Sequence, residues 1–283
     1  MRQEAYFCTV KELDELGKNN IPRQLISHTH LIYSSPATLA FNSPGAEGFG
    51  VKRAGLAVPD SVMLIVSPGC CGRNTSVLSS MRAYQDRFYY LLMDETDIVT
   101  GRHLKKIPKA VAEICEGLKK KPSVVMICIT CVDALLGTDM ERVCHKAEEY
   151  AGVPVRPCYM YALTREGRKP PMVHVRQSVY SLLEPKKKKG NVVNLLGYFS
   201  PLTDDCELYD LLHGAGVKTI HEISRCKDYA QYQTMSEANF NLVLHPEARF
   251  AAEDFHDRLK IPYIELRRLY PVSYTHLTLP TTE

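Results

Sequence analysis

The chain has 283 residues, of which 45% are apolar and 24% are charged, a composition that excludes a disordered or collagen-like protein. Its formal net charge of +3 excludes a nucleic-acid binder that relies on bulk charge. No stretch approaches the ~18 apolar residues that span a membrane, and the N-terminal sequence MRQEAYFCTVKELDEL is too charged for a secretory signal. The sequence therefore predicts a soluble, cytoplasmic protein with no membrane or nucleic-acid partner.

Short β-rich runs alternate along the chain with helical patterns. Strands are predicted over residues 62–66, 124–130, 153–156, 192–196, 217–220, 241–245 and 262–266. Helices are predicted between them, over residues 108–121, 138–152, 204–216 and 248–260. Strands that alternate with helices of this length form βαβ units with parallel strands. The pattern therefore predicts tandem Rossmann-like α/β domains with largely parallel sheets.

A lysine-rich segment separates these elements into two groups. Residues 184–191 read EPKKKKGN, which is typical of a solvated linker. We therefore predict an N-terminal α/β domain over residues 1–185 and a second over residues 190–271. From residue 272 the chain reads VSYTHLTLPTTE, and the periodic pattern stops abruptly. This string resembles a translated sequencing adapter, and a disordered tail is the alternative. If the string is not native, the second domain is truncated and a third domain is missing.

The ten cysteines are the strongest chemical signal in the sequence. In a reducing compartment, clustered cysteines are more typical of metal ligands or redox groups than of disulfides. One predicted strand leads into SPGCCGRNTS (67–76), which carries Cys70 and Cys71, and another leads into CVDALLGTD (131–139), which begins at Cys131. The carboxyl ends of parallel strands share one edge of a sheet, where open α/β sheets bind ligands. These cysteines are therefore expected to meet at that edge.

Cys128 and Cys131 form a C-x-x-C pair that makes a poor redox motif, because Cys128 lies inside the predicted strand. The odd spacing points the two side chains to opposite faces of the sheet. Cys131 is the better ligand, whereas Cys128 is expected in the strand core or beside the ligands. By spacing alone, a metal or iron–sulfur site is only slightly favoured over buried thiols.

Residues around the cysteines are expected to shape the two loops. Gly69 and Gly72 would let the backbone approach a bulky group and would supply amide donors to sulfides or anions. Thr138 and Glu141 have the spacing of a capping box, which predicts the start of the next helix.

Several segments in collinear order resemble the nitrogenase component 1 family. VSPGCCG resembles the G-P-x-G-C loop, whose cysteine ligates the P-cluster in that family. Residues 93–107, MDETDIVTGRHLKKI, are similar to its E-x-D-I-V-x-G-G-x-x-x-L segment, and residues 129–141, ITCVDALLGTDME, resemble its C-P-x-G-L-I-G-D-D turn. Residues 191–217 and 239–266 are similar to the start and the end of its second domain. The resemblance covers about residues 20–270.

The resemblance implies an iron–sulfur cluster, either 4Fe–4S or P-cluster-like. Its ligands would be Cys70 or Cys71 together with Cys131. The resemblance places Gly137 and Asp139 on the glycine and second aspartate of the turn. The residues expected close behind the ligands are Cys128, Gly69, Gly72, Gly137 and Asp139.

The sequence also departs from the family pattern at two places. No cysteine occurs between Cys8 and Cys70, where the nitrogenase α-subunit has a further cluster ligand. Cys71 is one substitute, and a simpler cluster shared between two subunits is another. His245 stands where the catalytic subunit has the cysteine that anchors the iron–molybdenum cofactor. Two interpretations stay open: a histidine that still ligates iron and, favoured over it, a strand-end histidine in a vestigial cofactor site. Reduction of dinitrogen is therefore not expected.

The main functional hypothesis is an oxidoreductase subunit that accepts low-potential electrons through the cluster and reduces a small, unidentified substrate. The resemblance implies an ATP-dependent iron protein as the electron donor, and a second copy or a sister component 1 subunit as the partner. The sequence has neither G-x-x-x-x-G-K-[ST] nor a G-x-G-x-x-G that opens a helix, which fits an external reductase. Two alternatives stay open: a metallocluster-assembly scaffold without turnover, and a metal-free α/β ligand-binding module.

Overall fold

Two parallel sheets organise the part of the chain that the computed structural model describes, residues 10–17, 20, 50–69, 79–130, 132–133, 136–160 and 169–266. The first sheet has the order β2-β1-β3-β4 and consists of β1 Val62–Ser67, β2 Phe88–Leu92, β3 Val125–Ile129 and β4 Val155–Tyr159. The second has the order β6-β5-β7-β8 and consists of β5 Val192–Leu196, β6 Thr219–His221, β7 Phe240–Val243 and β8 Tyr263–Glu265. All strand pairs are parallel, which confirms the predicted α/β class.

Helices flank both sheets. They are α1 Val10–Leu16, α2 Gly50–Gly55, α3 Glu95–Thr100, α4 His103–Gly117, α5 Met140–Ala151, α6 Pro171–Tyr180, α7 Glu207–Gly214, α8 Tyr229–Gln233 and α9 Arg249–Leu259. Four 3-10 turns complete the described elements, at Arg82–Tyr84, Ile223–Arg225, Thr234–Glu237 and Pro246–Ala248. Among the helices of the described ranges, none has the length and apolar character that a membrane crossing requires.

The first sheet is buried on both faces because helices cover each of them. On one face Leu64 and Val66 of β1 pack in a core that includes Ile107 and Val111 of α4. On the other face Ile65 belongs to a core that continues into the second sheet. This arrangement explains why β1 and β3, the two central strands, read as apolar runs rather than as alternating patterns.

Helices α6 and α9 connect the two sheets. Their residues Tyr180 and Phe255 are buried in the shared core, with ring centroids 5.3 Å apart. Arg258 of α9 donates hydrogen bonds to the carbonyl oxygens of Tyr180 and Leu183. Because these contacts join elements on both sides of residues 184–191, the two sheets share one continuous core in the described part of the chain.

The structure corrects several expectations about single elements. The sequence analysis did not predict strand β2 or helix α6. Helix α4 begins at His103, before the predicted start at residue 108. Strand β4 runs to Tyr159 and contains Pro157, which an edge strand tolerates because one side of its backbone needs no partner.

The lysine-rich segment is fastened to the second sheet rather than fully solvated. Lys188 donates from Nζ to the carbonyl oxygen of Ser236 at 2.7 Å, and Lys189 forms an ion pair with Glu237. Burial lowers the pKa of Lys188. The segment thus joins the two groups of elements, as predicted, and also packs against the second.

His174 of α6 generates a prediction about stability at low pH. Burial, together with the nearby Lys169, lowers the pKa of His174 to about 4, although Glu141 lies 3.9 Å away. The unfolded chain therefore takes up a proton first, and stability falls as the pH drops from about 6.5 to about 4.

We expect His174→Gln to flatten this pH dependence, which in the native chain amounts to at most about 3 kcal/mol at ~1.4 kcal/mol per pKa unit. Urea unfolding between pH 7 and pH 4 measures the effect, with His256→Gln on the exposed side of α9 as the control. Equal pH profiles for native and His174→Gln chains would contradict the prediction.

Candidate functional site

The carboxyl edge of the first sheet brings together the segments on which the predicted cluster site depends. Strands β1 and β3 are neighbours, with Val66 paired to Ile129, so the loops that follow them start side by side. This is the juxtaposition that the sequence predicts for the two cysteine-bearing loops. The candidate ligands Cys70, Cys71 and Cys131, and also Gly72, lie outside the described residues.

Gly69 is the last described residue before the first cysteine loop. Among the described residues, no heavy atom lies within 4 Å of a Cβ atom built on Gly69, so none of them fills the space beside its backbone. Nearby, the buried hydroxyls of Ser67 and Thr130 at the two strand ends have no hydrogen-bond partner in the described part of the chain.

The segment after β2 is held by a buried carboxylate. Asp97 is 1% exposed and accepts hydrogen bonds from Lys106 Nζ and Arg102 Nε, each at 2.7 Å. These two cations hold the pKa of Asp97 well below its usual range. Asp94 and Asp97 also form a capping box that starts α3. The segment 93–107 is therefore a rigid support at the sheet edge.

A buried histidine and a buried aspartate link this segment to the turn after β3. His103 Nε2 lies 2.8 Å from Asp133 Oδ1, and its Nδ1 lies 3.0 Å from the carbonyl oxygen of Asp97. Both side chains are 1% exposed. The sequence analysis missed this pair. Its signal was a pair of polar residues at the carboxyl edge of the sheet, one at the start of α4 and one in the turn that follows β3.

The turn that follows β3 ends in a capped helix. Gly137 has a φ of +65°, a left-handed conformation that glycine adopts without strain. Asp139 caps α5 by accepting a hydrogen bond from the backbone N–H of Arg142 at 3.1 Å. The expected capping box of Thr138 and Glu141 is wrong, because the Thr138 hydroxyl donates to Asp133 instead.

Three cysteines of the described ranges, Cys128, Cys144 and Cys158, are buried in the core and are poor candidates for iron ligands. Cys128 and Cys158 are paired by register on neighbouring strands and are fully buried in the core. Burial raises the pKa of Cys144 and Cys158 well above the usual thiol value, and it raises that of Cys226 to about 11. Iron is bound by thiolates rather than thiols. Within the described ranges no group of three or more His, Cys, Asp or Glu is arranged to hold a metal ion.

A second candidate region is a cavity of about 880 Å³ between the two sheets. Its wall includes α2, the turn at Arg82–Tyr84, α6 and the carboxyl edge of the second sheet. Four basic side chains and two acidic ones line it: Arg53, Arg87, Arg176, Lys227, Asp60 and Glu247. The lining therefore has an excess of positive charge, which suits an anionic occupant.

His245 lines this cavity just beyond the end of β7. Its Nδ1 accepts a hydrogen bond from the backbone N–H of Glu247 at 3.3 Å, and its ring lies against Tyr198. Burial and the charge of Arg176 lower the pKa of His245. Gly197 packs against its backbone, and a Cβ atom on Gly197 would lie 2.7 Å from the His245 nitrogen. The site thus presents a neutral imidazole, 36% exposed, to the cavity.

Arg176 is the fixed cation of the cavity wall. It donates to the carbonyl oxygen of Gly197 at 2.7 and 3.1 Å, to that of Met172 at 2.8 Å, and to Glu247 Oε2 at 2.8 Å. Burial lowers the pKa of Arg176, and Glu247 opposes that shift. The sequence analysis missed Arg176 because this residue lies on α6, a helix that the sequence did not predict.

The chain belongs to the nitrogenase component 1 type oxidoreductase family, whose model matches residues 47–281. The match includes most of the segment 272–283, which lies outside the described residues. Members of this family bind iron–sulfur-based metalloclusters, pair with an iron protein and form oligomers.

Similar proteins include the nitrogenase iron-molybdenum cofactor biosynthesis proteins NifE of Nostoc sp. and Rhodobacter capsulatus. The first is 26% identical over 74% of this chain and 44% of its own length, and the second is 27% identical over 84% and 52%. The fold is similar to the solved structure "Nitrogenase Cp1 at pH 6.5", with a TM-score of 0.59, 18% identity, and coverage of 78% of this chain and 53% of that one. The chain spans about half the length of the curated relatives it matches.

Removal of the Arg176 guanidinium tests how far the cavity wall depends on it. We expect Arg176→Ala to lower the free energy of unfolding by roughly 3–5 kcal/mol, because Glu247 and the carbonyl oxygen of Gly197 lose a buried cationic partner. Lys120→Ala, which removes an exposed ion pair with Asp60, is expected to cost less than about 1 kcal/mol. Urea unfolding of both variants measures the difference, and equal losses would contradict it.

Proposed function

We propose that this chain is a metallocluster-assembly scaffold. It holds an iron–sulfur cluster at the edge of the first sheet, binds a metallocluster precursor in the cavity beside the second sheet, and passes the precursor on without reducing a substrate. The observation that carries this proposal is the neutral imidazole of His245, which lines a basic cavity at the position where the resemblance expects an anchoring thiolate.

A neutral histidine is a ligand that can be exchanged. His245 Nδ1 accepts an N–H from Glu247, so Nε2 carries the ring hydrogen in this arrangement. Binding of iron through Nε2 requires that this hydrogen leave and that Nδ1 gain one, which breaks the bond from the Glu247 N–H, and the Glu247 carboxylate, 3.7 Å from Nδ1, lies beyond hydrogen-bond distance. Ligation therefore costs a hydrogen bond that release restores, which favours the exchange that a precursor to be handed on requires.

The charge of the cavity fits the proposed cargo. Clusters of iron and sulfide with thiolate ligands carry negative charge, and the four basic side chains of the lining outnumber its two acidic ones. Arg176 is fixed in place by backbone carbonyls and Glu247, so it provides a permanent cation rather than a mobile one. The cavity therefore favours an anionic metallocluster over a neutral molecule of similar size.

The iron–sulfur cluster at the first sheet is proposed on Cys70 or Cys71 together with Cys131. The shared edge of β1 and β3, from which both cysteine-bearing loops leave, supports this placement. The resemblance implies these cysteines as the ligands. A second copy or a sister subunit would complete the ligand set, with a 4Fe–4S or P-cluster-like cluster as the two forms considered.

The relatives of this chain, which are named as cofactor biosynthesis proteins, also support such a role. The second candidate is an oxidoreductase that receives electrons from an ATP-dependent iron protein, which the description of the family favours. The two functions differ in one measurable respect, because only the oxidoreductase consumes reductant in the presence of a substrate.

Loss of a cluster ligand should remove iron from the protein. We expect Cys131→Ala, purified without oxygen, to lose most of its iron and its visible absorption, because a thiolate ligand is missing. Cys115→Ala is the matched control, since Cys115 lies on α4 and burial raises the pKa of its thiol. Iron and sulfide analysis measures the result, and equal iron in both variants would remove Cys131 from the site.

A thiolate in place of His245 should slow release of the precursor. We expect His245→Cys to transfer ⁵⁵Fe-labelled metallocluster to a cofactor-free component 1 protein roughly tenfold more slowly, because thiolates bind iron–sulfur clusters more strongly than imidazole does. His256→Ala serves as the control.

With the iron protein, MgATP and dithionite, the native chain is expected to consume no reductant when acetylene or protons are offered as substrate. Sustained reduction there would favour the oxidoreductase.

A further inference from the structure

We propose that His103 is a positioning residue for Cys131: by holding Asp133, it fixes the turn that follows β3. The proposal rests on the proposed function only in taking Cys131 as a cluster ligand. Asp133 falls on the unspecified position of the C-P-x-G-L-I-G-D-D pattern, so the pair is a feature of this chain and not of the resemblance.

Each ring nitrogen of His103 has a polar partner. The carbonyl oxygen of Asp97 can only accept, so Nδ1, 3.0 Å away, carries a hydrogen and points at it. Nε2 faces Asp133 Oδ1 at 2.8 Å, so a further hydrogen, shared between these two atoms, joins them. Because the two bonds lie on opposite sides of the ring, its orientation is fixed. Its support is rigid as well, since Lys106 and Arg102 hold the Asp97 side chain.

Asp133 in turn organises the whole turn. Its Oδ1 accepts a second hydrogen bond from Thr138 Oγ1 at 3.1 Å, and its backbone carbonyl accepts from the N–H of Thr138 at 3.1 Å. Asp133 therefore ties the start of the turn, two residues after Cys131, to its end at the head of α5.

This arrangement depends on the imidazole of His103. The Asp133 side chain is 1% exposed, and its Oδ2 has no hydrogen-bond partner among the described residues. A buried carboxylate that loses its main partner bears the full desolvation cost and tends to leave its site. Loss of the His103 ring would therefore release Asp133 and, with it, the bonds to Thr138 that hold the chain after Cys131.

The first test uses the metal-free full chain, so it needs no cluster. Iodoacetamide labelling of Cys131 is followed by peptide mass spectrometry. We expect His103→Ala to speed labelling about tenfold, the scale expected for loss of one hydrogen bond to a charged group. His103→Gln, which keeps an N–H donor for Asp133, should return the rate close to the native value. Thr138→Val, a milder change, should raise the rate in the same direction.

Asn194→Ala is the matched control. Asn194 is fully buried in β5 and donates to Met235 and Asn241, so its loss destabilises the protein far from the turn. A native labelling rate in folded His103→Ala and Thr138→Val, or an equal increase in Asn194→Ala, would overturn the proposal.

After reconstitution with iron and sulfide, the visible circular dichroism of the cluster should change in His103→Ala and recover in His103→Gln. A native chain that binds no iron would refute the proposed function, and the labelling result would still decide the role of His103.

Discussion

Parallel pairing of β1 with β3 is the constraint on which the first candidate site depends. With Val66 beside Ile129, both strands end at one level, and the two cysteine-bearing loops leave from adjacent points. The same pairing leaves Ser67 and Thr130 buried at the strand ends. Both faces of β1 and β3 pack in buried cores, so close packing of the side chains on each face fixes the position of the loops. The site is thus a consequence of core packing.

The two sheets repeat one topology and differ in chemistry at equivalent places. In each sheet the third strand along the chain, β3 or β7, pairs with the first, β1 or β5. The residue two positions beyond the end of β3 is Cys131, and the residue two positions beyond the end of β7 is His245. A cysteine and a histidine thus occupy corresponding positions along the chain. This correspondence explains how one fold supports a tightly held cluster beside an exchangeable cargo in the proposed function.

The sequence predicted those features that local patterns encode. The apolar run of β5 was predicted at its observed bounds, and the strand pattern predicted that the loops after β1 and β3 leave from one edge of a sheet. It missed contacts between residues far apart in the chain, such as the bonds from Arg176 of α6 to Gly197 and Glu247. The predicted capping box of Thr138 and Glu141 is wrong for a similar reason, because it took no account of a side-chain contact outside the local pattern. A buried aspartate five positions earlier offered that hydroxyl a better partner than the backbone did.

Buried charges mark both candidate regions. Burial of an ion in a protein core costs free energy unless partners satisfy it completely, so such groups add little stability compared with apolar residues. Nevertheless Asp97 and Asp133 are buried at the edge of the first sheet, and Arg176 at the cavity beside the second. Each holds a loop or a cavity wall, and none lies at the centre of a strand. Their common effect is to fix the backbone where metal ligands are proposed, which apolar contacts, lacking direction, would achieve less precisely.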